Sequence, residues 1–226
     1  MTHGSIDAPP EAGPPRRSLA IAIRLTVVLV LLCGVAYPAL IYAGAQFAFL
    51  ASAEGSVVHD ACGVAIGSRL IGQSFTRPSY FHGRPSAVGY DARNSGASNF
   101  GPLSPALGDS LSARASALRS TSIVPNDAPL PPDAISASGS GLDPDISPEF
   151  AMLQVRRVTR ARSAGDDSSF EATLRSLVAA RTVGRQLGVL GEPRVNVLTL
   201  NLALDSLDDL SHARRRSCDA PAGRSQ

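Results

Sequence analysis

The residues that could do chemistry sit in the polar stretches of this 226-residue chain. His82, Asp91 and either Ser138 or Ser140 are the three residue types of a hydrolase triad. Such a triad needs contact: the imidazole takes the hydroxyl proton and the carboxylate orients the imidazole. No Gly-x-Ser-x-Gly elbow frames any of the serines. The preferred reading therefore packs His82 beside Tyr80 and Phe81 in a structured loop. Asp143, Asp145 and Glu149 could gather a cation. The plainer and preferred reading makes Asp143-Pro144 a turn and places Asp145 and Glu149 at a helix N-terminus.

Several chemistries are excluded by one absence. All 21 basic residues are arginine, with no lysine anywhere. A phosphate-binding P-loop, a Schiff-base enzyme and a protein kinase each require a lysine. The formal net charge of +2 supplies no bulk case for nucleic-acid binding. Cys33, Cys62 and Cys218 form no Cys-x-x-Cys pair and no cluster with histidine, so no metal site is expected. Cys62 and Cys218 could pair in an oxidising compartment, while Cys33 reads as a small packing residue.

The element that positions everything else is the run from Leu25 to Ala53, which holds no Asp, Glu, Lys, Arg or His. A helix rises about 1.5 Å per residue and a bilayer core is about 30 Å thick, so roughly 20 such residues span it. The expected division is a tail at 1–24, a transmembrane helix at 25–50, a domain at 51–205 and a polar tail at 206–226. Ala51-Ser52-Ala53 has the form of a cleavage site, but the apolar run is far longer than that of a signal peptide, so a retained anchor is preferred. Arg16, Arg17 and Arg24 precede the run and the next basic residue is Arg69. The positive-inside rule then places the N-terminus in the cytoplasm and the domain outside it. Ala36, Ala39 and Ala43, with the pair Gly44 and Ala48, form small-residue stripes on which another helix could pack closely. Pro38 is expected to kink the helix.

Beyond the span, Val57–Val58 and Val64–Ile66 read as short strands. Ser104-Pro105 opens a helix with Leu107, Leu111 and Leu118 on one face. Ser147-Pro148-Glu149 opens a second helix with Phe150, Val155 and Val158 apolar. Its Arg156, Arg157, Arg160 and Arg162 read either as a solvated face or as a docking surface. Ser168 and Glu171 suggest a capping box for a third helix reaching about Arg181, with Phe170, Leu174, Leu177 and Val178 inward. Val195 and Val197 suggest a strand. Leu198 to Leu204 fits strand alternation and helix propensity alike. The fold class is a single N-terminal transmembrane α-helix with one extracytoplasmic α/β (α+β) domain.

GSRLIGQSFTRPSYFHGRPSA, SGASNFGP, SASGSGLDPDISPEFAMLQVRRVTRAR and LGEPRVNVLTLNLALD, with Gly34-Val-Ala-Tyr-Pro38 in the span, resemble the C subunit of the Kdp-type potassium-transporting P-type ATPase. The resemblance runs from Gly34 to Asp205. Ala97 and Phe100 stand where the family usually has Gly and Leu, and the tail after Asp205 is longer than is usual. The resemblance implies an accessory subunit of an ATP-driven potassium uptake complex in the cell (inner) membrane, with no catalytic residues of its own. It implies two partners, a potassium-binding channel-like subunit and an ATP-hydrolysing P-type pump subunit. It also implies that the subunit, a catalytic chaperone in the family description, aids assembly and the use of ATP by the pump. The ATP belongs to the complex. A domain outside the membrane cannot reach cytoplasmic nucleotide, so its effect would be allosteric. Were nucleotide bound directly, Ser138, Gly139, Ser140 and Gly141 would be the candidate cradle, although they lack the helix and lysine of a phosphate loop. The alternative is a membrane-anchored extracytoplasmic adaptor or solute-binding module.

Overall fold

The computed structural model describes residues 15–59, 63–122, 124–163 and 167–212. Cys62 and Cys218 lie outside the described residues. The chain forms two compact units that meet between Glu54 and Gly55.

The first unit is helical throughout: α1 (Pro15–Leu31), a π-helical turn (Leu32–Ala36), α2 (Tyr37–Ala48) and the short α3 (Leu50–Ala53). Arg17–Ala48 is long and apolar enough to cross a membrane. The helix starts well before Leu25 because Leu19 to Ile23 extend the apolar run and arginine is a good helix former. The irregularity expected at Pro38 takes the form of the π turn just before it. In a regular α-helix the Pro38 ring would press on the carbonyl of Gly34. The wider turn relieves that contact, and the Tyr37 N–H bonds Leu32 O, five residues back.

The second unit begins with an antiparallel pair, β1 (Val57–His59) and β2 (Ala65–Ser68), close to the expected strands. Helix α4 (Pro105–Ser122) follows, with Leu107, Leu111 and Leu118 half-buried. Then come α5 (Pro132–Ile135), β3 (Asp145–Ile146), α6 (Pro148–Arg162), α7 (Ser168–Arg181), β4 (Thr182–Val183), β5 (Arg194–Asn196) and α8 (Val197–His212). The three short strands form one sheet in the order β3-β5-β4, with both pairings antiparallel. The domain is therefore of the α+β kind.

Each helix start has a local cause. Pro148 takes the first position of α6 and Ser147 Oγ accepts the Phe150 N–H at 3.0 Å. The Asp133 carboxylate accepts the backbone N–H and the hydroxyl of Ser147 at 2.7 and 2.9 Å, so α5 braces that cap. The expected capping box at Ser168 and Glu171 is not formed. Asp167, one residue earlier, caps α7 by accepting the N–H groups of Ser169 and Phe170, and Glu171 pairs with Arg175 at 2.6 Å. Asp167 wins because a carboxylate accepts from two helix donors and sits at the positive end of the helix dipole.

The ambiguous Leu198–Leu204 stretch is helical. Asn196 ends β5 and its side-chain oxygen accepts the Thr199 N–H at 3.1 Å, which turns the chain into α8. Val197 begins that helix rather than extending the strand. Val197, Leu200, Asn201 and Leu204 then share the buried face at helical spacing. Ser206, expected to begin a loose tail, continues α8, which runs to His212. The core joins Phe81, Ile146, Phe150, Val155, Val158, Leu174, Val178, Val195, Leu200 and Leu204. Burying one such side chain stabilises by about 1.5–3 kcal/mol.

Candidate functional site

Between β2 and α4 the chain runs from Arg69 to Ser104 with no helix or strand. Irregular runs of that length in a compact domain are uncommon, and an ordered one is a candidate for function. Their buried backbone groups still need partners, and here side chains of α6 and α8 provide them.

Phe81 is fully buried. Its N–H donates to Asn201 Oδ1 at 2.8 Å, and Asn201 Nδ2 donates to its carbonyl at 2.9 Å. The next residue repeats the arrangement from another helix. The His82 N–H donates to Gln154 Oε1 at 2.8 Å, and Gln154 Nε2 donates to the His82 carbonyl at 3.0 Å. Two side-chain amides thus hold consecutive residues as a neighbouring strand would. Arg157 donates to the carbonyls of Pro78 and Tyr80 and to Gln154 Oε1. Arg162 donates to Ser79 O at 2.7 Å, pairs with Asp205 at 2.9 Å and lies over the Tyr80 ring at 4.8 Å. The Tyr80 hydroxyl donates to the same Asp205 carboxylate at 3.2 Å.

Arg157 and Arg162 are therefore neither a solvated face nor a docking surface, the two roles expected of them. They are inward clamps on Pro78–His82. Burial pulls the Arg157 guanidinium down to about 10, which leaves it charged at neutral pH. Burial lowers the His82 imidazole below its usual range, and the Arg157 charge adds to that. Burial raises the Tyr80 phenol, with the Asp205 carboxylate adding to it.

A second set of bonds ties the same run to the Ser136–Asp145 loop. Gly96 N–H and Ser95 Oγ donate to Ser140 O at 2.9 and 3.1 Å. Ser86 Oγ donates to Gly141 O at 2.7 Å, and Gly72 N–H donates to Leu142 O at 2.8 Å. Arg84 pairs with Asp143 at 2.9 Å. The Tyr90 hydroxyl donates to Arg84 O at 2.5 Å, and burial together with the Asp143 charge pushes its phenol up to about 12.

Glycines here serve two different needs. Gly141 has φ +69°, and a Cβ there would meet Val88 at 2.4 Å and the Gly96 carbonyl at 2.8 Å. Gly72 and Gly83 lack a positive φ, and it is close approach that requires them: a Cβ would lie 2.5 Å from Asp143 O and 2.4 Å from the Tyr90 hydroxyl respectively. In SGASNFGP the positive φ falls on Asn99, at 53°, while Ala97 keeps an ordinary backbone.

The proposed triad is not assembled through any hydrogen bond described. His82 Nε2 faces Arg77 O at 3.1 Å, and Asp91 accepts from Arg93 N and Asn94 Nδ2. Of the cation group, Asp143 is held by Arg84, Asp145 by Arg194 at 3.1 Å, and Glu149 lies in the first turn of α6. Among the described residues no three or more His, Cys, Asp or Glu converge on a metal position. In the candidate cradle, the Ser138 N–H bonds Pro85 O at 3.0 Å and the Gly141 N–H bonds Ser138 O at 3.3 Å, while Gly139 and Ser140 are exposed. Ala36, Ala39, Ala43, Gly44 and Ala48 are all exposed on the first unit, with Ala36 closing the π turn.

Sequence reasoning missed Gln154, Asn201 and Asp205. The signal was present: an amide inside an otherwise apolar helix face must find a buried partner, because leaving it unbonded is costly.

The comparisons with known proteins agree with one another. The KdpC family model, described as the K+-transporting ATPase c chain, matches residues 19–206. A potassium-transporting ATPase KdpC subunit of Gemmatimonas aurantiaca is 52% identical over 86% of this chain and 95% of its own. That of Koribacter versatilis is 47% identical over 88% and 100%. That of Geobacter sulfurreducens is 48% identical over 84% and 98%. The matched residues include the apolar helix and every clamp of the Pro78–His82 segment, so the chain belongs to the KdpC family of K+-transporting ATPase c chains.

Proposed function

We propose that this chain is the single-pass, non-catalytic subunit of an ATP-driven potassium uptake complex. The family membership over residues 19–206 carries this reading. Its partners are a potassium-binding channel-like subunit and an ATP-hydrolysing P-type pump subunit. The N-terminus is cytoplasmic, the span lies in the inner membrane, and the domain from Gly55 is extracytoplasmic. The arginine asymmetry about the span supports that orientation. The subunit promotes assembly and supports ATP use by the pump from a distance. In further support, the proposed triad and cation residues bond elsewhere within the domain, and two N–H groups of the Ser138–Gly141 cradle bond protein carbonyls.

The test is purification of the tagged full-length chain from membranes, with its companions identified by mass. Both partner subunits are expected, and deletion of this subunit abolishes ATP-driven potassium uptake. Where either thiol is free and exposed, a membrane-impermeant thiol reagent should reach Cys62 or Cys218 in cells with an intact inner membrane. Labelling of these thiols only after the inner membrane is broken would reject the orientation. Saturable nucleotide binding by the purified subunit, lost on Gly141→Val, would replace action at a distance with direct contact at the cradle.

A further inference from the structure

The π turn leaves the Cys33 carbonyl without its helical donor, as Pro38 removes the regular donor of the Gly34 carbonyl. In a regular helix Cys33 O would accept from the Tyr37 N–H, four residues on. That N–H bonds Leu32 O instead. The donor one step further, which a π ladder would use, is residue 38, a proline with no N–H. Ala36, three residues on, belongs to the π turn itself, whose ladder runs five residues back. The shift of register and the proline together remove both donors that Cys33 O could have had.

The position makes this costly. Cys33 stands at the midpoint of Arg17–Ala48, where a bilayer is driest. An unsatisfied backbone group there is costly, and helix-breaking prolines survive in membranes because neighbouring helices, hydroxyl side chains or ordered waters bond the freed carbonyl. This chain offers none nearby. From Ala36 to Ala45 the sequence is AYPALIYAGA, whose only side-chain donors are the phenols of Tyr37 and Tyr42, held by their rigid rings away from the backbone of their own helix. The donor has to come from outside the chain.

We propose that in the assembled complex the Cys33 carbonyl accepts a hydrogen bond from a hydroxyl or carboxamide side chain on a membrane-spanning segment of another subunit. The inference rests on the proposed function, since it needs both the membrane and a partner. It makes the π turn, rather than the alanine stripe alone, the point that sets the rotation and depth of the span against its neighbour. Packing of small residues tolerates sliding, whereas a single directed bond does not.

The experiment uses the full chain with Cys62→Ser and Cys218→Ser, labelled with isotopic cysteine apart from its partners and then combined with unlabelled partner subunits, so that the one labelled carbonyl is at residue 33. Its infrared amide band is read in phospholipid vesicles with the subunit alone and in the purified complex. The band should move to lower wavenumber on assembly. Pro38→Ala restores an N–H to the helix, and should abolish that shift and lower retention of the subunit in the complex by on the order of threefold to tenfold. A band already low in the lone subunit would mean that water or lipid supplies the bond, and would overturn the inference. So would an unshifted band in a complex that forms normally. Failure to form any complex would overturn the proposed function itself, a separate result visible in the purification before any spectrum is taken.

Discussion

Pro78–His82 and Ser138–Gly141 are both short irregular stretches, the first rich in aromatic rings and the second made only of Ser and Gly. The structure holds them by different means. Pro78–His82 is gripped by long side chains from two helices, with Phe81 fully buried at its centre. Ser138–Gly141 is held mainly by backbone bonds and by the φ of Gly141. What lies beside each backbone, rather than depth, accounts for the contrast, since Ser138 and Gly141 are buried as Phe81 is. An irregular backbone inside the core meets no water and has no strand beside it, so amide and guanidinium groups must reach it. A loop laid against other loop backbone, as Ser138–Gly141 is against Pro85, Ser86 and Gly96, needs only a permitted backbone shape and close neighbours.

The sharpest way to break this contrast is Asn201→Leu. It leaves both backbone groups of Phe81 buried without partners, at about 2–5 kcal/mol. Urea unfolding of the full chain in detergent should show the loss. A cost below about 1 kcal/mol would mean that the amide clamp is incidental. Gln154→Leu should behave similarly and should also uncouple Arg157.

Gly141→Val comes next. A β-branched residue at φ +69° that also meets the Gly96 carbonyl should cost about 2–3 kcal/mol in the same assay. Ser140→Ala should cost under about 0.5 kcal/mol, because its hydroxyl only accepts the exposed Leu142 N–H. Equal effects of these two changes would remove the distinction between the loop's shape and its polar side chains.

A smaller effect is a pH dependence confined to the clamped segment. Burial and the Arg157 charge lower the His82 imidazole in the folded state. The unfolded chain therefore binds the proton more readily, so stability is full above about pH 6.5 and falls as pH drops below it toward the folded value. His82→Gln should flatten that limb of the stability profile. An unchanged slope would mean that the imidazole is not held away from protons.

Much of the fold was legible from residues. The apolar run announced the long N-terminal helix, Ser147-Pro148 announced α6, and Leu174 and Val178 announced the inner face of α7. These signals depend on spacing along one helix, which the chain carries locally. The capping of α7 was legible in kind but misplaced by one residue, since Asp167 and Ser168 both suit a cap. The Leu198–Leu204 stretch could not be settled locally, because leucine at every second position satisfies both periods once alanine and asparagine fill the gaps.

The sequence by itself determined the long apolar helix, the lack of lysine chemistry and the family, because each rests on composition or on matched residues in order. Only the tertiary structure decided what the polar residues do. Whether Arg157 faces solvent or Pro78, and whether Asn201 is a surface amide or a partner for Phe81, depends on segments more than 70 residues apart in the chain meeting in space. A hydrogen bond is made at about 3 Å, and no local pattern records which distant carbonyl will stand there.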